Sequence, residues 1–356
     1  MNNKHTISEL IQYFKQEEGT VINERALTEE FQQDHADQSS IAIKILSVFG
    51  GFFATLTLLG FLLLAGLYDS EIGMLLLGFL FIAGSILVNK TIQRTITDAS
   101  SICAYMTGHG LLAFALFELE SSGSMVCILF ICIALVTLFI IQTYVLSFIA
   151  ASTVLISLLC MIFIEEVYNV IHAYVILLTV LVTYVFLNEA TIITQLRKFS
   201  KLYTPICMAL IVSLIGSLST ISYGYDATVP IEHVWVSSSV TIAAVVFILS
   251  RILKIYEIEN KNIKIAAYIA VGFMLLPTLF APAISGALLI LLLCFLVNNK
   301  TGLAAGIVSF IYFISQYYYD LHFTLLVKSI ILFSTGILCL LIYIFIIKKI
   351  ESDESI

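Results

Sequence analysis

The stretch Gly123-Ser-Met-Val-Cys127-Ile-Leu-Phe130-Ile-Cys132-Ile-Ala-Leu-Val-Thr137-Leu-Phe-Ile-Ile-Gln142-Thr143-Tyr144-Val-Leu-Ser-Phe-Ile-Ala-Ala-Ser-Thr153-Val-Leu-Ile156-Ser157-Leu-Leu-Cys160-Met-Ile-Phe-Ile164 carries no charge from end to end. As one helix it would be about 63 Å long, roughly twice the ~30 Å hydrocarbon core of a bilayer. It must therefore fold back on itself, and Gln142-Thr143 is the polar break at its middle. Two membrane-crossing helices joined by a tight turn follow from this run alone.

Working outward, the same reading divides the chain into twelve membrane segments. They lie at about 45–67, 71–89, 100–118, 123–141, 144–164, 169–188, 203–222, 233–250, 263–279, 282–298, 302–319 and 323–347. Pro277 and Pro282 mark a second reversal, because proline removes a backbone donor and interrupts a helix. If either hairpin dipped into the bilayer and returned, the count would fall to ten with the same parity. Composition agrees: 60% of residues are hydrophobic and 12% charged, and the mean hydropathy is +1.05. An ordinary soluble domain is excluded. The expected fold class is an all-α, polytopic transmembrane helical bundle spanning residues 41–349.

Charge then orients the bundle. Of 17 lysines and arginines, only Lys328 lies inside an apolar run. Alternate connections carry Lys90 and Arg94; Arg197, Lys198 and Lys201; Arg251, Lys254, Lys261 and Lys264; and Lys300. Lys348 and Lys349 follow the last segment, and Lys4, Lys15, Arg25 and Lys44 precede or open the first. The opposite connections hold carboxylates instead: Asp69, Glu71, Glu118, Glu120, Glu165, Glu166, Asp226, Glu232 and Asp320. Cytoplasmic connections carry the excess of lysine and arginine, so both termini are expected in the cytoplasm. No cleaved signal peptide is expected, and the first apolar run would serve as an anchor.

Residues 1–40 form the main polar segment. Thr6 and Glu9 have capping-box spacing, and Ile7, Leu10, Ile11 and Phe14 make a helical stripe that Gly19 ends. A second short helix is expected from Asn23 to about His35. Eight carboxylates outnumber Lys4, Lys15 and Arg25 here, which disfavours binding to anionic lipid or nucleic acid. Docking is the expected use, on the protein's own loops or on another membrane or cytosolic protein. Residues 350–356 make a short cytoplasmic tail.

Few residues offer chemistry. Lys328 sits about 7.5 Å into the last segment; it either snorkels to the boundary, near Asp320, or faces a polar cavity as a counter-ion or substrate contact. His109, flanked by Gly108 and Gly110, is either a proton-relay or ligand group or a neutral imidazole bonded to a neighbouring helix. Gln316, with Tyr317, Tyr318 and Tyr319 after it, either lines a cavity or begins an interfacial aromatic belt. Glu165, Glu166 and His172, or Glu232 and His233, could gather a cation, although no metal-site spacing supports it. The seven cysteines all lie in apolar runs and read as packing residues. No Walker A sequence, GxSxG elbow or dinucleotide turn is present, so neither enzyme activity nor a cofactor is expected.

The run Tyr317-Tyr-Tyr-Asp-Leu-His-Phe-Thr-Leu-Leu-Val-Lys328-Ser-Ile-Ile-Leu-Phe-Ser-Thr-Gly336 resembles the closing signature of a bacterial membrane family known as domain of unknown function 4401. The family pattern is approximately YYY-x-L-x-x-TLL-x-KS with a later glycine. The polar front segment, the first segment's Leu-Leu-Gly-Phe-Leu and the glycine-flanked His109 are also similar, with glutamine standing in the family at the histidine's place. The resemblance implies a multi-pass membrane protein and assigns no activity, substrate or catalytic residue.

The leading functional class is a transporter-like protein with a polar intramembrane cavity near Lys328, His109, Gln316 and Tyr319; the rival is a non-transporting partner or assembly protein, and a lipid-modifying enzyme comes third. Twelve crossings place the Asp226 connection and the C-terminus on opposite sides of the membrane. Tags at these two sites should show opposite accessibility in intact cells, and equal accessibility would contradict the topology.

Overall fold

The computed structural model describes residues 41–66, 70–91, 95–195, 197–223, 231–255 and 261–320, with single positions between 330 and 340. Among the described residues the secondary structure is helical throughout, with no strand. In chain order the helices are α1 Ile41–Leu64, α2 Glu71–Thr91, α3 Thr95–Glu118, α4 Gly123–Ile140, α5 Tyr144–Ile164, α6 Val170–Leu187, α7 Glu189–Gln195, α8 Tyr203–Tyr223, α9 Trp235–Ile255, α10 Lys261–Leu275, α11 Pro282–Leu296 and α12 Lys300–Asp320. Two 3-10 turns, Arg197–Leu202 and Leu276–Phe280, link α7 to α8 and α10 to α11.

The first eleven expected segments each coincide with one of these helices, and the short α7 is an addition. The twelfth expected segment, 323–347, falls largely outside the described residues. So do the N-terminal segment 1–40, Lys328 and the tail 350–356. The uncharged run does fold back where its polar pair stands. Ile141 and Thr143 are extended, and the Thr143 hydroxyl lies 2.7 Å from the Asn89 side-chain oxygen at the end of α2. At the second reversal Pro282 opens α11, where its missing N–H costs nothing.

Seven described helices are long and apolar enough to cross a membrane. α10 and α11 have 15 residues each, about 22 Å of helix, so this hairpin is shorter than a full pair of crossings. The surface is that of a membrane protein. Leu64 is 86% exposed, and Phe61, Leu76, Phe139 and Val308 are also exposed. A contiguous apolar surface of this kind is untenable in water, whereas in hydrocarbon it is the required exterior.

The bundle has two packed groups. In the first, α1 and α2 pack on α3, and α4 packs on α5; in the second, α6, α11 and α12 gather around α8 while α9 packs on α11 and α6, and α5 against α8 joins the groups. Their cores are separate. One centres on Tyr105, Leu112, Ala134 and Leu146, the other on Leu178, Leu214, Ile248 and Leu293.

Apolar side chains gain little by leaving lipid, so helix association relies on close backbone approach and on hydrogen bonds between helices. The α2–α3 crossing has both. A methyl group added at Gly108 would fall 2.8 Å from the Gly78 carbonyl oxygen and 3.1 Å from the Ile82 amide nitrogen. One side of this crossing is closed by the Ser85 hydroxyl donating to the Ser101 carbonyl at 2.7 Å. In the second group the Thr241 and Ser285 hydroxyls meet at 2.6 Å between α9 and α11. Tyr174 of α6 donates to the Leu155 carbonyl of α5 and accepts from Ser213 of α8.

Gly108→Ala should therefore destabilise the protein by about 1–3 kcal/mol through overpacking. Gly84→Ala, with nothing within 4 Å of the added methyl, should be neutral or mildly stabilising. Thermal unfolding of the two variants in the same detergent checks this; equal midpoints would contradict the crossing.

Candidate functional site

Three consecutive residues of α3 face three different neighbours, because each step along a helix turns by about 100°. Gly108 meets α2 at Gly78 and Ile82, and Gly110 meets Leu59 of α1. His109, between them, is turned toward α4 and α5. There it lines a cavity of about 680 Å³ bounded by those three helices. The glycines that flank the imidazole thus serve helix packing on either side of it and fix the direction in which it points.

The cavity begins at the end of the bundle where the α3–α4 and α5–α6 turns lie, beside Phe117, Ser121, Gly123 and Ile164. It runs inward to Tyr105, His109, Phe130 and Ile149. His109 is nine residues from Glu118, about 14 Å along the helix axis. Most of the wall is apolar, with Thr153 and Ser157 of α5 as further polar members. The turns at that end carry Glu118, Glu120, Glu165 and Glu166, and no lysine or arginine. Ser124 Oγ is hydrogen-bonded to the Glu165 carboxylate there, tying the start of α4 to the end of α5.

The imidazole is held by its own helix and by rings on two sides. Nδ1 lies 2.9 Å from the Tyr105 carbonyl oxygen. A carbonyl can only accept, so Nδ1 carries the proton and Nε2 presents a lone pair. The Tyr105 ring lies 4.4 Å away, centroid to centroid, and the Phe130 ring of α4 stands edge-on at 4.9 Å. Nε2 is buried and has no hydrogen-bond partner, a costly arrangement for a polar atom in a low-dielectric interior. Two neighbouring hydroxyls are already committed as donors. Tyr105 donates to Thr137 Oγ1, whose own proton goes to the Ile133 carbonyl, and Thr153 donates to the Ile149 carbonyl.

The other candidates lie elsewhere. Gln316 and Tyr319 are on α12, which packs against α11 and α8, and neither lines the His109 cavity. The Gln316 side-chain oxygen is buried without a partner, whereas Tyr319 is 78% exposed with its ring edge-on to Tyr318, the placement of an aromatic belt. His109 and Gln316 thus belong to different helix groups.

His172 is not drawn into a cation site with Glu165 and Glu166. Its Nε2 donates to the Glu232 carbonyl at 2.6 Å, and its Nδ1 accepts from the Ser237 hydroxyl at 2.7 Å. Both nitrogens are used in joining α6 to α9, and no lone pair is left for a metal. His233 and Glu232 face each other at 3.8 Å on the exposed surface. Among the described residues no group of three or more potential ligands is close enough to hold a metal ion. Sequence reasoning missed the Tyr105, Phe130, Thr153 and Ser157 wall. Its available signal was the helical spacing of Tyr105 and His109, one turn apart on the same face.

The chain matches a family described as a domain of unknown function, DUF4401, over residues 41–349. No curated protein and no solved structure matches it. The match takes in every described helix, from α1 to α12, and the tyrosine–lysine run beyond them. This apolar helical membrane protein belongs to the DUF4401 family.

Proposed function

We propose that the protein is transporter-like: a multi-pass bacterial inner-membrane protein that takes a small molecule into the cavity between α3, α4 and α5. The observation that carries this reading is the largely apolar cavity of about 680 Å³ between three helices, with His109 in its wall. A ligand pocket is typically a largely apolar space of this size with a few placed polar groups. The basic connections support an orientation with both termini in the cytoplasm, which puts the acidic end of the cavity on the outer face. The alternative of a non-transporting partner or assembly protein draws on residues 1–40, which lie outside the described residues.

The native cysteines provide a test without mutation. Cys127, itself buried, and Cys160, which is exposed, line the cavity, and Cys207 and Cys294 are buried in the second core. Cys132 is exposed on the outside of α4. A water-soluble thiol reagent should modify Cys127 and Cys160 at least about tenfold faster than Cys207 and Cys294, because thiol modification depends on access. Peptide mass spectrometry after timed labelling reads the rates. Cavity cysteines as unreactive as the core pair would remove the proposal's support.

A further inference from the structure

We infer that Cys127 and Cys160 form a redox-active dithiol near the acidic end of the cavity. The pair closes into an intramolecular disulfide by exchange with a small, uncharged disulfide. It needs no ligand in the cavity and is independent of the transporter-like reading.

The register of the α4–α5 hairpin brings the two thiols together. The chain reverses between Ile140 and Tyr144, so the two helices run antiparallel. A methyl group added at Gly123 of α4 would fall 3.0 Å from the Ile164 side chain of α5. Beside that contact, Ser124 is hydrogen-bonded to the Glu165 carboxylate. Cys127 lies four residues inward from Gly123, and Cys160 four residues inward from Ile164. One helical turn, about 6 Å, thus carries both residues to the next meeting of the same two faces. Both line one cavity, and the two thiols are within electrostatic reach of each other. A disulfide needs Cα atoms within about 7 Å, and the small residues Gly123 and Ser124 that open α4 favour such an approach.

Access differs between the two thiols in the way exchange requires. Cys160 is exposed, whereas Cys127 is 7% exposed. An incoming disulfide RSSR meets the exposed thiol first, and the buried one is placed to resolve the product. The Cys160 thiolate attacks one sulfur of RSSR; the S–S bond breaks, RS⁻ leaves, and Cys160–S–SR forms. The Cys127 thiolate then attacks the Cys160 sulfur and expels the second RS⁻. Both cysteine protons end on RSH, so RSSR is reduced and the pair is oxidised.

The surroundings favour this use of two thiols. Most of the wall is apolar, and a disulfide adds no charge to it, whereas a monovalent cation held by two thiolates would. Among the described residues no third potential ligand joins the pair. Glu118, Glu120, Glu165 and Glu166 stand on the turns at that end, so an uncharged oxidant approaches more readily than an anion. Cys207 and Cys294 supply the contrast. They too are within electrostatic reach of each other, but are 0% and 1% exposed, so an incoming disulfide meets neither.

Disulfide mapping of the full-length protein in phosphatidylcholine nanodiscs tests the pair. Reduced protein, freed of reductant, is treated with hydroxyethyl disulfide, quenched with acid, alkylated and read by peptide mass spectrometry. The linked Cys127–Cys160 peptide should accumulate at least about tenfold faster than any other pair, Cys207–Cys294 included. Cys127→Ser should stop Cys160 at the mixed disulfide, and Cys160→Ser should abolish the linked peptide. Oxidised glutathione, an anion, should link the pair more slowly; a faster reaction would overturn the uncharged class of oxidant. An unmodified protein that stops at the Cys160 mixed disulfide would put Cys127 out of reach and overturn the inference. So would an unreactive Cys160, or linking of Cys207 to Cys294 at the same rate. The thiol-labelling test of the cavity is read on reduced protein, so its outcome is separate from these.

Discussion

Every backbone N–H and C=O inside hydrocarbon must find its partner within the protein, and the rest of this structure depends on that constraint. It makes each crossing a helix and leaves side chains to decide how helices meet. Because lipid is as apolar as leucine, the decision falls to glycines and short polar side chains. Gly108 brings α3 against the backbone of α2, and Ser85 closes the contact with a hydrogen bond. That contact fixes the rotation of α3 about its axis. His109, one residue on, is thereby turned away from both α1 and α2 and into the space that α4 and α5 enclose.

The two buried histidines show what a satisfied and an unsatisfied imidazole look like in one molecule. His172 has both nitrogens engaged, one by a carbonyl and one by a hydroxyl, and works as a rivet between α6 and α9. His109 has one nitrogen engaged by its own helix and the other buried without a partner. Leaving a buried polar atom unpaired costs about 1–3 kcal/mol. A cavity with such a residue in its wall is therefore the better place to look for a ligand. The second helix group, by contrast, ties Thr241 to Ser285 and Tyr174 to Ser213, and is built as a packed scaffold.

Much of the fold was legible in the sequence because membrane helices announce themselves by length and by the absence of charge. The turn at Gln142-Thr143 and the helix start at Pro282 both follow from local chemistry, and the structure places them there. Gly302 and Gly306 have the small-xxx-small spacing of closely packed membrane helices, and Gly306 lies against the backbone of Leu291. The candidate site was legible only in part. His109 stood out as an intramembrane histidine between glycines, but its surroundings are assembled from α4 and α5, and no local pattern encodes that meeting. For the same reason Gln316 was grouped with His109, although α12 lies in the other helix group. The His172–Ser237 bond joins positions 65 residues apart, and neither residue carries a sequence signal for the other.

The central claim is that His109, in the cavity wall, carries an unprotonated and unpartnered Nε2. Nitrogen-15 NMR of the protein labelled at histidine, with the His109 signals assigned by their loss in His109→Gln, measures this directly. The structure predicts that Nδ1 carries the proton and that Nε2 shows the shift of an imine nitrogen free of a strong hydrogen bond. A proton on Nε2, or an Nε2 signal showing a strong hydrogen bond in the ligand-free protein, would contradict the account.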